Sequence, residues 1–367
     1  MMVLAAGCDV AHVRLLEDST GLDGGTGAST ATGGSSAGAG AAGSPMAGAG
    51  SANAGGSGGQ GNGNPSGAGQ AGASANGGQT GNPGGAGQAG GGQAGAAPCE
   101  NFGPWLEPEP VVGLGEDTLD HWGPSLTNAP TVLFYSIGVG EAENIWRATR
   151  TDLDEPFTAA MAVAQVNTET MEGTPFIMPD GQGLWFSSTR PGGLGDRDIW
   201  MAPGGVNGFA PAINVSEVNS EGLEHLPSLT ADGLILVFGS TRVDSANEDI
   251  FMATRDVATE PFSPPFFVGE LNTDAYDGSP AITADGLTIY LASKRIGNDA
   301  NGTDIFVATR DSRDDPFNEP QEVVELNTTS NDEDPRLSPA RNEIFFASNR
   351  DTGVHQIWHA LRECLDP

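Results

Sequence analysis

The stretch SPAITADGLTIYLASKR (279–295) decides the fold, because closely related stretches recur along the chain. The relatives are LPSLTADGLILVFGSTR (226–242), TPFIMPDGQGLWFSSTR (174–190), DPRLSPARNEIFFASNR (334–350) and the more divergent GPSLTNAPTVLFYSIG (123–138). An isoleucine and an aromatic residue follow each stretch, and successive isoleucines lie 54, 51, 55 and 52 residues apart: Ile145, Ile199, Ile250, Ile305 and Ile357. A repeat of about 53 residues indicates a series of similar units rather than one irregular domain.

One repeat unit has the pattern of a small antiparallel sheet. In LTIYLAS (287–293) apolar and polar residues alternate, and an Asp-Gly turn stands just before it, which predicts a β-hairpin. DIFVATR (304–310) and the run that ends in VVELN (323–327) provide a third and a fourth strand. Four short strands per unit, repeated radially, are typical of a propeller blade, so the sequence predicts an all-β, five-bladed β-propeller.

The units resemble the TolB-type, WD40-like Pro-Asp propeller repeat, whose pattern is P-x-x-S/T-x-D-G, then F-x-S-x-R, then D-I-W. The middle three units match it well, whereas the fifth has Ala340-Arg341 and the first has Ala129-Pro130 in place of Asp-Gly. The resemblance covers residues 99–367 and implies a propeller domain there. It also implies that a protein partner binds at the mouth of the central channel, although one fold hosts many functions.

The sequence also predicts how the ring of blades closes. The segment WLEPEPVVGLGE (105–116) precedes the first unit, while the last unit stops after its third strand. We therefore expect the N-terminal segment to complete the last blade and cover its open edge. Cys99 and Cys364 bracket the propeller at this join, and the closure predicts a disulfide between them; the alternative is two free thiols.

The part of the chain before the propeller has a different composition. Residues 22–98 are mainly Gly, Ala, Ser, Asn and Gln, which cannot bury enough apolar surface to fold, and they predict a disordered linker. Residues 1–21 contain LAAG-Cys8, which resembles a bacterial lipobox with a lipidated cysteine, although no basic region precedes it; a free cysteine is the alternative. We expect an extracytoplasmic protein of the bacterial cell envelope that reaches the membrane through a lipid anchor alone.

The charge of the chain limits its partners. There are 15 basic and 48 acidic residues, for a formal net charge of −33. This balance excludes nucleic acid, because phosphate binding requires positive charge, and it favours a protein or peptide with a basic surface.

Candidate ligand-binding residues precede the first strand of each unit. Three positions before the proline of that strand stands a histidine or an acid: His121, Glu172, Glu224, Asp277 and Asp332. These positions surround the channel mouth of a propeller, so we expect them to form a ligand-binding site together with the neighbouring Trp122. The alternative is a structural role in which each side chain caps unpaired backbone N–H groups.

Two further patterns involve charged residues. Arginines recur at the end of the second strand and aspartates at the start of the third, and we expect ion pairs between them: Arg190 with Asp198, Arg242 with Asp249, and Arg295 with Asp304. The loop NDANGTD (298–304) resembles a calcium loop only superficially. We expect no cofactor, with Ca²⁺ as the alternative.

The sequence contains no convincing pattern of a catalytic nucleophile with its base, of a metal-ligand set or of a phosphate-binding loop. We therefore expect no enzyme activity, but a monomeric binding or scaffolding module of the cell envelope that presents an acidic face to its partner. The alternative is a carbohydrate-active protein, either a lectin or a glycosidase, that uses carboxylates at the channel mouth.

Overall fold

The computed structural model describes residues 99, 101–115, 118–129, 131–139, 142–242, 247–295 and 302–365. It confirms the five-bladed β-propeller, with each blade an antiparallel sheet. The predicted segments 1–21 and 22–98, including Cys8, lie outside the described residues. Within the described ranges, no helix has the length and apolar character needed to cross a membrane.

Each blade consists mainly of consecutive strands. The N-terminal strands are β1 (Phe102–Trp105) and β2 (Glu109–Pro110). The first blade comprises β3 (Asp120–Leu126), β4 (Val132–Val139), β5 (Ala142–Thr149) and β6 (Thr158–Ala162). The second comprises β7 (Glu172–Ile177), β8 (Gln182–Ser188), β9 (Asp198–Gly205), β10 (Gly208–Phe209) and β11 (Ile213–Asn214).

The other three blades follow the same order. The third comprises β12 (Glu224–Leu229), β13 (Ile235–Ser240), β14 (Asp249–Thr254) and β15 (Phe266–Phe267). The fourth comprises β16 (Asp277–Ile282), β17 (Thr288–Ser293), β18 (Asp304–Thr309) and β19 (Gln321–Glu322). The fifth comprises β20 (Asp332–Leu337), β21 (Glu343–Ser348) and β22 (Gln356–Cys364), together with β1 and β2.

The first strand of each blade lies at the centre of the propeller. These strands contact one another in a closed ring: β3, β7, β12, β16 and β20. Apolar side chains of the second and third strands pack against the next blade, as Ile250, Leu291 and Phe306 do between the third and fourth blades. Burial of this surface holds the blades together, because removal of apolar surface from water is the dominant favourable contribution to folding.

An asparagine side chain continues the pairing of the fourth strand, which has only two residues in three of the blades. Asn272 Oδ1 accepts a hydrogen bond from Ile250 N at 2.7 Å, and its Nδ2 donates one to Ile250 O at 2.9 Å. Three other blades contain the same arrangement: Asn167 with Ile145, Asn219 with Ile199, and Asn327 with Ile305. The amide group offers one donor and one acceptor, as a strand residue does.

The ring closes as the sequence predicts. Strand β1 pairs antiparallel with β22, with Phe102 opposite Cys364 and Trp105 opposite Arg362, and β2 extends the same pairing. The Arg362 guanidinium lies 4.1 Å from the ring centre of Phe102 and 4.3 Å from that of Trp105. Cys99 and Cys364 form a disulfide with their Cα atoms 5.8 Å apart. Such bonds persist in oxidising compartments, in agreement with an extracytoplasmic location.

Candidate active site

The carboxylates predicted at the channel mouth are all fully buried in the structure: Glu172, Glu224, Asp277 and Asp332. Asp277 illustrates their contacts. Its Oδ2 accepts hydrogen bonds from the backbone N and the hydroxyl of Thr273 at 2.6 and 2.7 Å, and its Oδ1 accepts one from Ser293 Oγ at 2.5 Å. The other three accept the same pair of hydrogen bonds from the residue four positions earlier. These contacts serve the fold, and binding of a ligand by these residues stays a prediction.

An arginine completes each of these buried networks. Arg295 Nη2 lies 2.6 Å from Asp277 Oδ1 and donates a hydrogen bond to Leu271 O of the connection that leads into this blade. The equivalent pairs are Arg190 with Glu172, Arg242 with Glu224, and Arg350 with Asp332. The predicted pairing of these arginines with the third-strand aspartates is therefore wrong. Each arginine turns to the first strand because the carboxylate there is fully buried and requires a cation.

The aspartate at the start of the third strand in the second blade has another role. Asp198 Oδ2 accepts a hydrogen bond from Leu194 N at 2.8 Å, so the side chain holds the loop between the second and third strands. In the first blade, His121 occupies the position of the buried acids, and Ile137 lies opposite it where the other blades have serine. The His121 ring is buried and lies 5.6 Å from the ring of Tyr135, within the core of that blade.

The channel mouth is lined by the residues that directly follow these buried positions. The residue after the buried position is Trp122 in the first blade, His225 in the third and Glu333 in the fifth. All three side chains line a cavity of about 270 Å³. The second and fourth blades have glycine there, namely Gly173 and Gly278.

A glutamate from the preceding blade fills the space over each of these glycines. Glu143 Oε1 lies 2.0 Å from the point that a Cβ of Gly173 would occupy, and Glu248 Oε1 lies 2.3 Å from the corresponding point at Gly278. Any side chain at either glycine would displace the carboxylate. Four side chains line the cavity at this level, and we call them the mouth ring: Trp122, Glu143, His225 and Glu333. Glu248 lies outside this lining, packed against Gly239 and Gly278.

The next position of each first strand forms the floor of the cavity, which we call the floor ring: Gly123, Thr174, Leu226, Ser279 and Asp334. All five have φ between 47° and 55°, in the left-handed region, next to an irregularity in the strand register. For residues other than glycine this conformation costs on the order of 1 kcal/mol each and persists where the surrounding structure imposes it, often at functional sites.

Asp334 is the one acid in the floor ring. Its Oδ2 accepts a hydrogen bond from Gly123 N at 2.9 Å, and its Oδ1 accepts one from Ser279 Oγ at 2.7 Å. Burial raises the pKa of Asp334 to about 6, and the negative charge of Glu333 adds to the rise, while the two hydrogen bonds oppose it. Asp334 can therefore hold a proton at mildly acidic pH and donate it at the cavity surface.

The two glutamates that lie over Gly173 and Gly278 have defined partners. Glu143 Oε2 lies 2.7 Å from Arg197 Nη2, and Glu248 Oε2 lies 2.5 Å from His225 Nε2. The second oxygen of Glu248, Oε1, is buried and accepts no hydrogen bond within the described part of the chain. Each of these glutamates is therefore paired with a basic side chain, and only Glu143 lines the cavity.

His355 links two carboxylates at one side of the cavity. Its Nδ1 lies 3.1 Å from Asp120 Oδ1, and its Nε2 lies 3.0 Å from Glu333 Oε1. Burial lowers the pKa of His355, but its hydrogen bonds to Glu333 and Asp120 outweigh burial and leave the pKa raised. The ring of Trp122 lies 3.8 Å from that of His355, which fixes the indole at the cavity wall.

The titration of this cavity predicts the pH dependence of stability. Both Asp334 and His355 have raised pKa values, so the folded protein holds these protons more strongly than the unfolded chain does, and stability falls as pH rises through the folded values. We expect Asp334 alone to make the free energy of unfolding about 1 kcal/mol greater at pH 5 than at pH 8. Urea unfolding at both pH values measures this difference, and Asp334→Asn should reduce it by that amount. An unchanged difference in Asp334→Asn would contradict the raised pKa.

Below the floor ring, Arg336 crosses the channel. Its Nη1 donates a hydrogen bond to Ser228 Oγ of the third blade at 2.6 Å, and its guanidinium lies 5.0 Å from the ring centre of Phe176 in the second. Burial lowers the pKa of Arg336 to about 10, and the negative charge of Asp334 opposes that shift. Arg336 lines a separate cavity of about 140 Å³, whereas Asp334 lines the mouth.

Sequence reasoning missed most of this site, but the sequence carries a signal for it. The residue just before the Asp, Asn or Gln of the third-strand motif is of four different types in the five blades: Glu143, Arg197, Glu248, Thr303 and His355. The predicted acids, by contrast, repeat in four blades. Residues of one type that recur at equivalent positions stabilise the structure of each blade. Positions that vary within an otherwise regular repeat therefore indicate the ligand site.

The described residues contain no group of three or more His, Cys, Asp or Glu side chains arranged to hold a metal ion. Most of the calcium-loop candidate, 298–304, lies outside the described residues, and Ca²⁺ binding there stays a prediction.

No family model matches the chain, and no curated protein matches it in sequence. Among solved structures, a TolB protein from Agrobacterium tumefaciens is 16% identical, with a TM-score of 0.43 over 68% of this chain and 78% of that one. A GH62 α-L-arabinofuranosidase catalytic domain from Coprinopsis cinerea is 12% identical, with a TM-score of 0.48 over 71% and 96%. A thermostable family-43 glycoside hydrolase is 9% identical, with a TM-score of 0.48 over 69% and 91%.

These comparisons correct one expectation. We inferred from the sequence that the protein is not an enzyme, yet several of the propellers to which it is similar are glycoside hydrolases. At these identities the likeness shows the fold alone. The expectation of no enzyme activity, which rested on the lack of recognisable catalytic patterns, is therefore wrong, and an activity must be argued from the cavity itself.

Proposed function

We propose that the protein is carbohydrate-active and cleaves a glycosidic bond at the channel mouth, with Asp334 as the proton donor and Glu143 as the second carboxylate. Most glycoside hydrolases use two carboxyl groups, one that protonates the leaving oxygen and one that activates water or attacks the sugar. Two carboxyl groups with these roles can be recognised because their environments separate their pKa values.

The observation that carries the proposal is the contrast between two carboxyl groups of one cavity. Asp334 is 7% exposed and has a pKa raised to about 6, whereas Glu143 forms an ion pair with Arg197 at 2.7 Å. In the proposed reaction the glycosidic C–O bond breaks and the proton of Asp334 passes to the leaving oxygen. The hydroxyl of a water molecule bonds to the anomeric carbon, the other proton of that water passes to Glu143, and proton exchange with solvent restores both carboxyl groups. Trp122 offers an aromatic face at the cavity wall against which a sugar ring can pack.

Hydrolysis of a panel of aryl glycosides and oligosaccharides, followed between pH 4 and 8, tests this proposal. We expect turnover that declines as pH rises above about 6, where Asp334 loses its proton. Asp334→Asn and Glu143→Gln should each lower kcat by roughly 10²- to 10⁴-fold, the usual contribution of a positioned acid or base.

Asp274→Asn is the matched control, because Asp274 is exposed on a connection between blades, and it should retain full activity. Far-UV circular dichroism and urea unfolding of each variant separate loss of chemistry from loss of fold. Turnover that survives both Asp334→Asn and Glu143→Gln would rule out this pair, and absence of any turnover together with absence of sugar binding would rule out the function.

A second candidate is the capture of a protein or peptide with a basic surface at the same acidic mouth. The excess of 48 acidic over 15 basic residues favours it, since complementary charge accelerates and orients association. Salt-sensitive binding of a basic peptide that Glu333→Gln weakens would support this candidate. A monomeric state and attachment to the bacterial envelope through lipidated Cys8 belong to the same proposal, and mass spectrometry of the cell-derived protein tests the lipid.

A further inference from the structure

We propose that the cavity of about 140 Å³ lined by Arg336 binds a small carboxylic acid with a compact apolar body, and that Arg336 receives its carboxylate. This cavity is separate from the one at the channel mouth. The inference therefore adds a second site, and it does not depend on the proposed cleavage of sugars.

The lining of this space, which we call the lower cavity, is mainly apolar and comes from all five blades. One residue of each blade illustrates it: Leu126, Phe176, Leu229, Ile282 and Leu337. A cavity of about 150 Å³ lined by such side chains holds a benzene molecule. The lower cavity therefore has room for an apolar body of about that size.

The lower cavity has an exposed rim and a buried interior. Ala284 and Asp285, in the turn between β16 and β17, belong to its lining and are exposed, whereas Leu229 and Ile282 are buried. A ligand can therefore enter beside this turn and place its apolar body among buried side chains.

Arg336 supplies a buried positive charge to the lower cavity. The residue is 8% exposed, and its Nε and Nη1 donate hydrogen bonds to neutral oxygens, Pro124 O at 3.4 Å and Ser228 Oγ at 2.6 Å. It forms no ion pair with a carboxylate of the described residues, whereas Arg295 lies 2.6 Å from Asp277. Because burial of a charge is costly unless an opposite charge compensates it, Arg336 favours an anionic partner.

The guanidinium of Arg336 also has donors that remain unused. A guanidinium carries more N–H groups than the two that are bonded here. Nη2 donates no hydrogen bond within the described part of the chain, and it is not among the enclosed polar atoms there, so it keeps accessible surface. The remaining N–H groups of Nη1 and Nη2 lie side by side, which matches the two oxygens of a carboxylate.

The other charges of the lower cavity cancel. Asp285 is the acid of its lining, and Asp285 Oδ2 lies 3.3 Å from Arg341 Nη1. Asp334 lines the mouth instead, so its charge acts on Arg336 without an ion pair. Burial lowers the pKa of Arg336 only to about 10, so the lining has a net positive charge at neutral pH. A neutral or cationic ligand would leave that charge uncompensated.

Calorimetric titration of the full chain at pH 7 with benzoate, benzamide and acetate tests the inference. Benzamide has the shape of benzoate without its charge, and acetate has the charge without the ring. We expect benzoate to bind about tenfold more tightly than either, because only benzoate both pairs with Arg336 and fills the apolar interior.

Two variants locate the binding. Arg336→Gln should remove the preference for benzoate over benzamide and leave the affinity for benzamide unchanged, which also shows that the cavity is intact. Arg147→Gln, at a half-buried arginine outside the lower cavity, should behave like the wild type. Ala284→Phe places a large side chain at the rim and should weaken benzoate and benzamide alike, whereas Ala258→Phe, at an exposed position outside the lining, should not.

Equal affinity for benzoate and benzamide, or no binding of benzoate, would overturn the inference. Benzoate binding that survives Arg336→Gln unchanged would also overturn it. If Arg336→Gln does not fold, the comparison of Ala284→Phe with Ala258→Phe decides, and equal benzoate binding by these two variants counts against the lower cavity. Sugar hydrolysis is measured separately, so either proposal can fail without the other.

Discussion

Replacement of both Cys99 and Cys364 by serine is expected to lower the free energy of unfolding of the propeller by about 5 kcal/mol. The disulfide joins residues 265 positions apart, and a cross-link over so long a loop strongly restricts the unfolded chain. It also holds β1 beside β22, where Leu365 N donates a hydrogen bond to Asn101 O at 2.8 Å. Urea unfolding of the oxidised protein and the double variant measures the difference.

The reduced wild-type protein is the control for this prediction. Reduction should cost the same free energy as the double substitution, because both remove the cross-link and leave side chains of similar size. Equal stability of the oxidised protein and the double variant would show that strand pairing alone closes the ring.

Asp277→Ala is expected to destabilise the propeller by about 3 to 5 kcal/mol, because it removes one partner of a buried ion pair and leaves the other. Arg295 would lose its carboxylate at 2.6 Å, and the backbone N of Thr273 would lose its acceptor. The measurement is the free energy of unfolding, with Asp274→Ala as the exposed control.

The repeat supplies internal replicates of this experiment. Alanine at Glu172, Glu224 or Asp332 should produce losses of similar size, since each carboxylate is fully buried against its own arginine. A change within about 0.5 kcal/mol of the wild type at all four positions would contradict the structural role and restore them as candidates for ligand binding.

The blade number, the closure and the disulfide were predictable because all three follow from the period of the repeat. The ion pairs that hold each blade were not predictable. By its place in the repeat Arg295 could pair with either Asp277 or Asp304, and it pairs with Asp277 because that carboxylate is fully buried. The mouth ring was harder still. Glu143 reaches the channel from the neighbouring blade because Gly173 lacks a side chain, and no residue pattern within one unit reveals this.

The same reasoning explains why acids at four equivalent positions do not indicate a ligand site. Repetition of Glu172, Glu224, Asp277 and Asp332 made them conspicuous, yet that repetition reflects a contact which every such blade must make. No pattern in the sequence marks Asp334, because its counterparts are Gly123, Thr174, Leu226 and Ser279, which share its backbone conformation but not its chemistry.

Arg336 limits the passage of solutes through the central channel. Its guanidinium spans the channel from the fifth blade to the third, so a solute that enters past Trp122 meets a barrier instead of an exit. Under the proposed function, substrate and product therefore share a single opening, and bound product delays the entry of the next substrate.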